Sequence, residues 1–176
     1  MKRCITAFVV AAGLLTALEA VAQVTKEAVP GITNMARLET TVACAGAITV
    51  DAVPAIKKMG FASIINLRLA TEQGADVEKQ EAAAKAAGLN YFHVPFGGQP
   101  DPVAAGKFLD AITTKGAEPA FIHCAGGNRA ATMWLIKRLA VDHWDVDRAT
   151  KEAIALGQTN ATTRQWAIEY GQSNRR

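Results

Sequence analysis

Apolar positions follow three regimes along this chain. From Ile5 to Leu18 they form an almost unbroken run of about fourteen residues behind a short basic start, Met1-Lys2-Arg3. Ala20-Val21-Ala22 then places small residues at the positions a signal peptidase reads. The run is shorter than the roughly 20 residues that span a bilayer. The pattern predicts a secretory signal over 1–22 and a mature domain over 23–176, exported to the periplasm or secreted, with an uncleaved anchor as the alternative. No other apolar stretch is long enough to cross a membrane, so no membrane partner is expected after cleavage.

Beyond residue 22 the spacing switches between short β-branched runs and helical periodicity. Thr41–Ala45, Ala62–Leu67, Asn90–Val94 and Pro119–His123 read as strands. Val50–Met59 reads as a helix stopped by Gly60, because Val53, Ile56 and Met59 recur at helical spacing. Glu72–Ala87 is rich in Ala, Glu, Lys and Gln and ends at Gly88. Gly97-Gly98-Gln99-Pro100 is a loop, and Asp101-Pro102 looks like an N-cap with proline at the first helical position, opening a helix to Thr113. Helices are also expected over Arg129–Val141, from the Asp145 cap to Leu156, and over Thr163–Tyr170. Trp134, Trp144 and Trp166 fall on or beside these helices as packing residues. The alternation predicts an α/β fold of three layers, a mostly parallel central sheet flanked by helices.

Composition narrows the function classes. The 176 residues are 50% hydrophobic, with 19 Lys plus Arg against 16 Asp plus Glu, which excludes disorder and fits one domain. Loss of residues 1–22 removes Lys2, Arg3 and Glu19 and lowers the net charge from +3 to +2, and no basic block argues for nucleic acid. Cys4 leaves with the signal, so Cys44 and Cys124 remain and no disulfide scaffold is expected. His93 and His143 show no ligand spacing, so no metal is predicted, and the Asn160-Ala161-Thr162 sequon matters only in a host that glycosylates.

The stretch that carries chemistry is Phe121-Ile-His-Cys-Ala-Gly-Gly-Asn-Arg129. A buried strand ends in a cysteine, two glycines allow a tight turn, and an arginine opens a helix. Glycines let backbone N–H groups converge on one point, and a helix N-terminus adds free N–H groups and partial positive charge. Ala125, Gly126, Gly127 and Asn128 are thus candidates to cradle an anion above Cys124. A helix N-terminus and a nearby cation favour thiolate over thiol, and Arg129 can grip two oxygens of a tetrahedral oxyanion at once. A thiolate below a bound phosphate is placed for in-line attack at phosphorus.

His123-Cys124 with Arg129 resembles the signature of cysteine-dependent protein tyrosine and dual-specificity phosphatases. Ala45-Gly46-Ala47-Ile48, Gly60 to Arg68, Glu72, Gly88 and Tyr91 to Pro95 follow the order of small bacterial phosphatase-like domains, alone or fused to beta-lactamase-like sulfur-metabolising hydrolases. The resemblance spans roughly Ile32 to Leu156. It implies a dual-specificity-phosphatase-like fold and hydrolysis of phosphate monoesters through a phosphocysteine on Cys124. Arg129 would bind the phosphate, His123 would orient the loop by hydrogen bonding, and Asp101 would be the general acid. No cofactor is needed by that mechanism. The substrate would be a phosphorylated small molecule or protein, with phosphate or sulfate able to occupy the loop.

Three positions depart from the common pattern. Four residues separate Cys124 from Arg129 instead of five, Ala130 stands where a Ser or Thr is usual, and Asp101 is the only carboxylate of its loop. A rhodanese-like sulfurtransferase carrying a Cys124 persulfide and a non-catalytic oxyanion-binding module are therefore the rival functions. Asp101 is most simply a helix cap, with the general-acid role its alternative, and Arg68 can pair with Glu72 or contact substrate. Cys44 is a candidate redox partner of Cys124, protecting the nucleophile in a reversible disulfide.

Overall fold

A computed structural model describes residues 23–176, so the expected signal segment lies outside the described residues. Six strands form one sheet: β1 Val24–Val29, β2 Ile32–Leu38, β3 Val42–Ala45, β4 Ser63–Asn66, β5 Asn90–His93 and β6 Ala120–His123. Their order across the sheet is β1-β2-β3-β6-β4-β5. The β3/β6, β6/β4 and β4/β5 pairs are parallel, whereas β1/β2 and β2/β3 are antiparallel.

Among the described residues six α-helices complete the fold, α1 Val53–Lys58, α2 Val77–Ala86, α3 Pro102–Thr113, α4 Asn128–Ala140, α5 Val146–Ala155 and α6 Ala161–Ser173, with a 3-10 turn at Val50–Ala52 leading into α1. Alternate residues of the central strands supply two cores. Ala43, Ala45, Ile64 and Phe121 pack with Val53 and Ile56 of α1 and Ala84 of α2 on one face. Val42, Cys44, Ile65 and Ile122 pack with α3, α4, α5 and α6 on the other. Burial on both faces is why these strands read as continuous apolar runs. Helix α4 is buried from Ala130 to Ala140, including Lys137 and Arg138, whose charges meet Glu118, Asp142 and Glu152.

Two expectations are corrected. A hairpin, β1 and β2 turning at Pro30-Gly31, precedes the strand expected to be first. Its outer strand alternates only weakly because it is a half-exposed edge carrying Lys26 and Glu27. The helix expected from Glu72 starts at Val77, because Gly74 and Asp76 both take positive φ and the segment between is a turn.

The topology puts β6 between β3 and β4, so the connection from β3 through α1 to β4 leaves a gap that β6 later fills. Such a position is where open α/β sheets hold ligands, at the carboxyl ends of the strands. Cys124 N–H donates to Ala45 O at 3.1 Å, and His123 O accepts from Leu67 N–H at 2.9 Å. The cysteine is thereby pinned from both neighbouring strands.

Candidate active site

Cys124 follows β6 directly and is 1% exposed. The chain then turns through Ala125, Gly126 and Gly127 into α4, and Gly127 has φ +105°, a conformation that a side chain would strain. No side chain caps this end of α4, so its first amides face the site without an intrahelical acceptor. Gly127 N–H donates to Cys124 Sγ at 3.0 Å. The carbonyls of the turn are engaged on its outer side, Ala125 O by Ala47 N–H at 2.9 Å and Gly126 O by Asn34 Nδ2 at 3.2 Å. That arrangement points carbonyls outward and leaves N–H groups for the interior. Gly46 permits the close wall, since a Cβ there would lie 2.8 Å from Ala125 O. The Asn128 side chain accepts from Thr159 and Asn160 N–H groups at 2.7 and 3.1 Å, tying the start of α4 to the turn before α6.

Arg129 is held rather than loose. Its two terminal nitrogens grip the Glu72 carboxylate at 2.7 and 2.8 Å, and Nη1 also donates to Phe96 O at 2.7 Å. The Arg129 bonds, with those from Leu69 N–H and Arg68, hold the Glu72 carboxyl down at about 2 despite partial burial, and Arg129 is pushed up in turn. Both groups are therefore ionised throughout the physiological range, and the guanidinium position is fixed before any ligand arrives.

Arg68 is 5% exposed and spends its donors on the adjacent turn: Nε to Glu72 at 3.2 Å, Nη1 to Gly74 O at 2.7 Å and Nη2 to Gln73 O at 2.6 Å. The structure thus places it in the pairing with Glu72, bracing the residue that braces Arg129. Asp101 caps α3, its Oδ1 accepting from Val103 and Ala104 N–H groups at 3.1 and 3.0 Å. Thr132, the hydroxyl nearest in sequence to Ala130, donates to Asn128 O at 2.8 Å.

His123 is fully buried, and among the described residues neither ring nitrogen makes a well-formed hydrogen bond. Contact with the Cys124 backbone favours the protonated ring but does not offset burial. Burial, with the charges of Arg68, Arg129 and His93 acting the same way, pushes its pKa down to about 3. The ring is neutral at neutral pH, so the positive field at Cys124 comes from Arg129 and the α4 terminus.

Cys44 and Cys124 are both buried free thiols on the same face of the sheet. The register pairs Cys44 with Ile122, leaving Cys124 one pleat further along. Burial raises the Cys44 thiol well above its usual value, and the nearby Cys124 adds to that. Both thiols are free here, and this register sets them a diagonal apart.

Sequence reading missed the roles of Glu72, Asn34 and the Asn128 side chain at this site. Glu72 had a local signal, its spacing of four from Arg68, but its bond to Arg129 spans 57 positions. Among the described residues no cluster of three His, Cys, Asp or Glu side chains is placed to hold a metal ion. Nor does any described helix have the length and apolar character to cross a membrane.

The beta-lactamase hydrolase-like protein, phosphatase-like domain family matches residues 34–141. The beta-lactamase hydrolase-like protein of Agrobacterium fabrum is 35% identical over 105 residues, covering 57% of this chain and 24% of that protein. The chain thus spans about a quarter of that relative's length. Among solved structures, a DUF442 protein of Shewanella putrefaciens superposes with a TM-score of 0.65 at 14% identity, covering 83% of this chain and 96% of that one. TpbA of P. aeruginosa gives 0.61 at 18% identity, covering 88% and 91%, and one structure of it holds phosphotyrosine. The PP-IP phosphatase of S. cerevisiae, solved with citrate, gives 0.60 at 16%, covering 77% and 84%. The fold is that of the cysteine-dependent phosphatases, and the chain belongs to the phosphatase-like domain family of the beta-lactamase hydrolase-like proteins.

Proposed function

We propose that this domain hydrolyses phosphate monoesters through a phosphocysteine on Cys124. The observation that carries the reading is the Gly127 N–H on Cys124 Sγ at 3.0 Å, at the uncapped start of α4 and near an arginine fixed by Glu72. A dianionic phosphoryl group would take the loop amides on its oxygens, with Arg129 beside it contributing charge. Sγ, as the thiolate, attacks phosphorus; the S–P bond forms as the P–O bond to the alcohol breaks. The departing oxygen takes a proton from the Asp101 carboxyl or from water. Water then attacks the phosphocysteine, the S–P bond breaks, and inorganic phosphate leaves with the thiolate restored.

A phosphorylated small molecule or protein fits this chemistry. It is also the class represented by the phosphotyrosine in TpbA and the PI(5)P in PTPMT1. Three observations favour a second reading, an anion-binding module: Ala130 offers no hydroxyl, Thr132 spends its own on Asn128, and Asp101 is occupied as a cap. Hydrolysis of an aryl phosphate by reduced protein, beside Cys124→Ser, between pH 5 and 8, separates them. Turnover abolished in the variant supports the enzyme; phosphate binding without turnover in the parent supports the module; Cys124 carrying persulfide sulfur supports transfer of sulfur instead. Export to the periplasm or beyond is part of the proposal, and the N-terminal residue of the protein recovered from cells tests it, with Gln23 expected.

A further inference from the structure

The peptide unit joining Gly126 to Gly127 has a different partner at each end. Its oxygen accepts from Asn34 Nδ2 at 3.2 Å, and its N–H donates to Cys124 Sγ at 3.0 Å. Because a peptide unit is planar and stiff, Asn34 and the thiol are coupled through one rigid plate. Glycine on both sides of the plate removes the Cβ contacts that would resist its rotation. Turning it half-way round would lift the N–H off sulfur and aim a carbonyl oxygen at the place where an anion sits. The neighbouring unit, Ala125–Gly126, is held by the backbone N–H of Ala47, which no substitution short of proline removes. The Gly-Gly unit meets the Gly46 segment through a backbone bridge on its N–H side, whereas its oxygen is held by the Asn34 side chain.

Asn34 is shaped for that contact. Its φ is +47°, in the left-handed region that asparagine tolerates better than most residues. The kink divides β2: before it, Ile32 bridges Ile48 and Thr33 bonds Ala47 and Gly46; after it, Ala36–Leu38 pair with β3. A non-glycine residue in this conformation, in the wall of a site, is a reason to ask what its side chain does.

The geometry points to Asn34 as a positioning residue that locks the Gly126–Gly127 peptide with its N–H toward Cys124 and the incoming anion, and so sets the cradle's affinity for phosphoryl groups. This rests on the reading of the cradle as a phosphate site. The Asn34 side chain is exposed, so water competes for its bond, and loss of the lock weakens anion binding by roughly three- to tenfold.

Two variants test it in the full chain under reducing conditions. Asn34→Gly keeps the left-handed φ without strain and removes the amide. Asn34→Asp keeps the shape but turns a carboxylate oxygen toward Gly126 O. The probe is inorganic phosphate, read by its protection of Cys124 from iodoacetamide, with kcat and KM for an aryl phosphate measured beside it. The phosphate concentration giving half-protection is expected to rise roughly three- to tenfold in Asn34→Gly and further in Asn34→Asp. The Tm of Asn34→Gly should be unchanged or higher, which separates positioning from mere structural support. A protected parent with unchanged half-protection in both variants would overturn the lock. An unprotected parent would overturn the phosphate reading of the cradle, and the lock with it.

Discussion

Replacing Glu72 by Gln probes how Arg129 is aimed. The carboxylate accepts from Arg129 through both oxygens at 2.7 and 2.8 Å, and also from Arg68 Nε at 3.2 Å and Leu69 N–H at 2.9 Å. Glutamine preserves the volume and one acceptor, but sets an NH2 group against one arginine. Charge-assisted bonds contribute about 1.5–3 kcal/mol each when well desolvated. The Glu72 side chain is 22% exposed, so solvent screening brings the net loss to about 2 kcal/mol for the pair. A loss of aim that costs the transition state a comparable amount is roughly a thirtyfold fall in kcat/KM for an aryl phosphate. Phosphate inhibition should weaken in parallel, and Tm should drop by about 5 °C. With its folded pKa at about 2 against an ordinary 4.5, Glu72 contributes stability that is complete above pH 4.5 and fades as pH falls toward 2. It therefore adds no limb to a rate profile between pH 5 and 8. Equal or tighter phosphate binding by Glu72→Gln would refute this reasoning, showing that Glu72 restrains the charge of Arg129 instead of aiming it.

Three further outcomes follow from the same geometry. His123, neutral and buried, cannot take up a proton that the unfolded chain accepts at about 6.5. Stability should therefore decline as pH falls from 6.5 toward 3, by up to roughly 4 kcal/mol, and His123→Asn should flatten that limb in urea titrations. Asp101→Asn keeps the α3 cap, since Asn caps as well as Asp, so Tm should hold within a degree or so. If Asp101 is the acid, kcat should fall about tenfold or more for alkyl phosphates and least for leaving groups needing no proton; equal loss for all substrates would count against that role. Cys44→Ala should leave both the rate of peroxide inactivation and its reversal by dithiothreitol unchanged. A loss of reversibility in that variant would mean that the strands move enough to bring the two sulfurs together.

Local signals were readable wherever the chain's chemistry acts over a few residues. Asp101-Pro102 announced α3 because a capping carboxylate and a proline at the first helical position have no better use together. Gly60 and Gly88 marked the ends of α1 and α2, and the strand before Cys124 was plain from Ala120-Phe121-Ile122 between a proline and a Gly-Gly turn. The hairpin was not, because β1 is a half-exposed edge and β2 is interrupted by the kink at Asn34. The site was half legible. Cys124, the amides and Arg129 occupy one short stretch, whereas the groups that aim them come from elsewhere. Glu72 lies 57 positions before Arg129 and Asn34 lies 92 before Gly126, separations over which only the sheet order brings residues together.

The account stands most directly on a covalent intermediate at one sulfur. Mixing reduced protein with excess aryl phosphate, quenching in acid within milliseconds and mapping the peptides by mass should find one phosphoryl group, carried on the peptide containing Cys124. Its amount should match the burst of released phenol, and it should be absent in Cys124→Ser. A burst without label on Cys124, or steady hydrolysis surviving in Cys124→Ser, would contradict the phosphocysteine route.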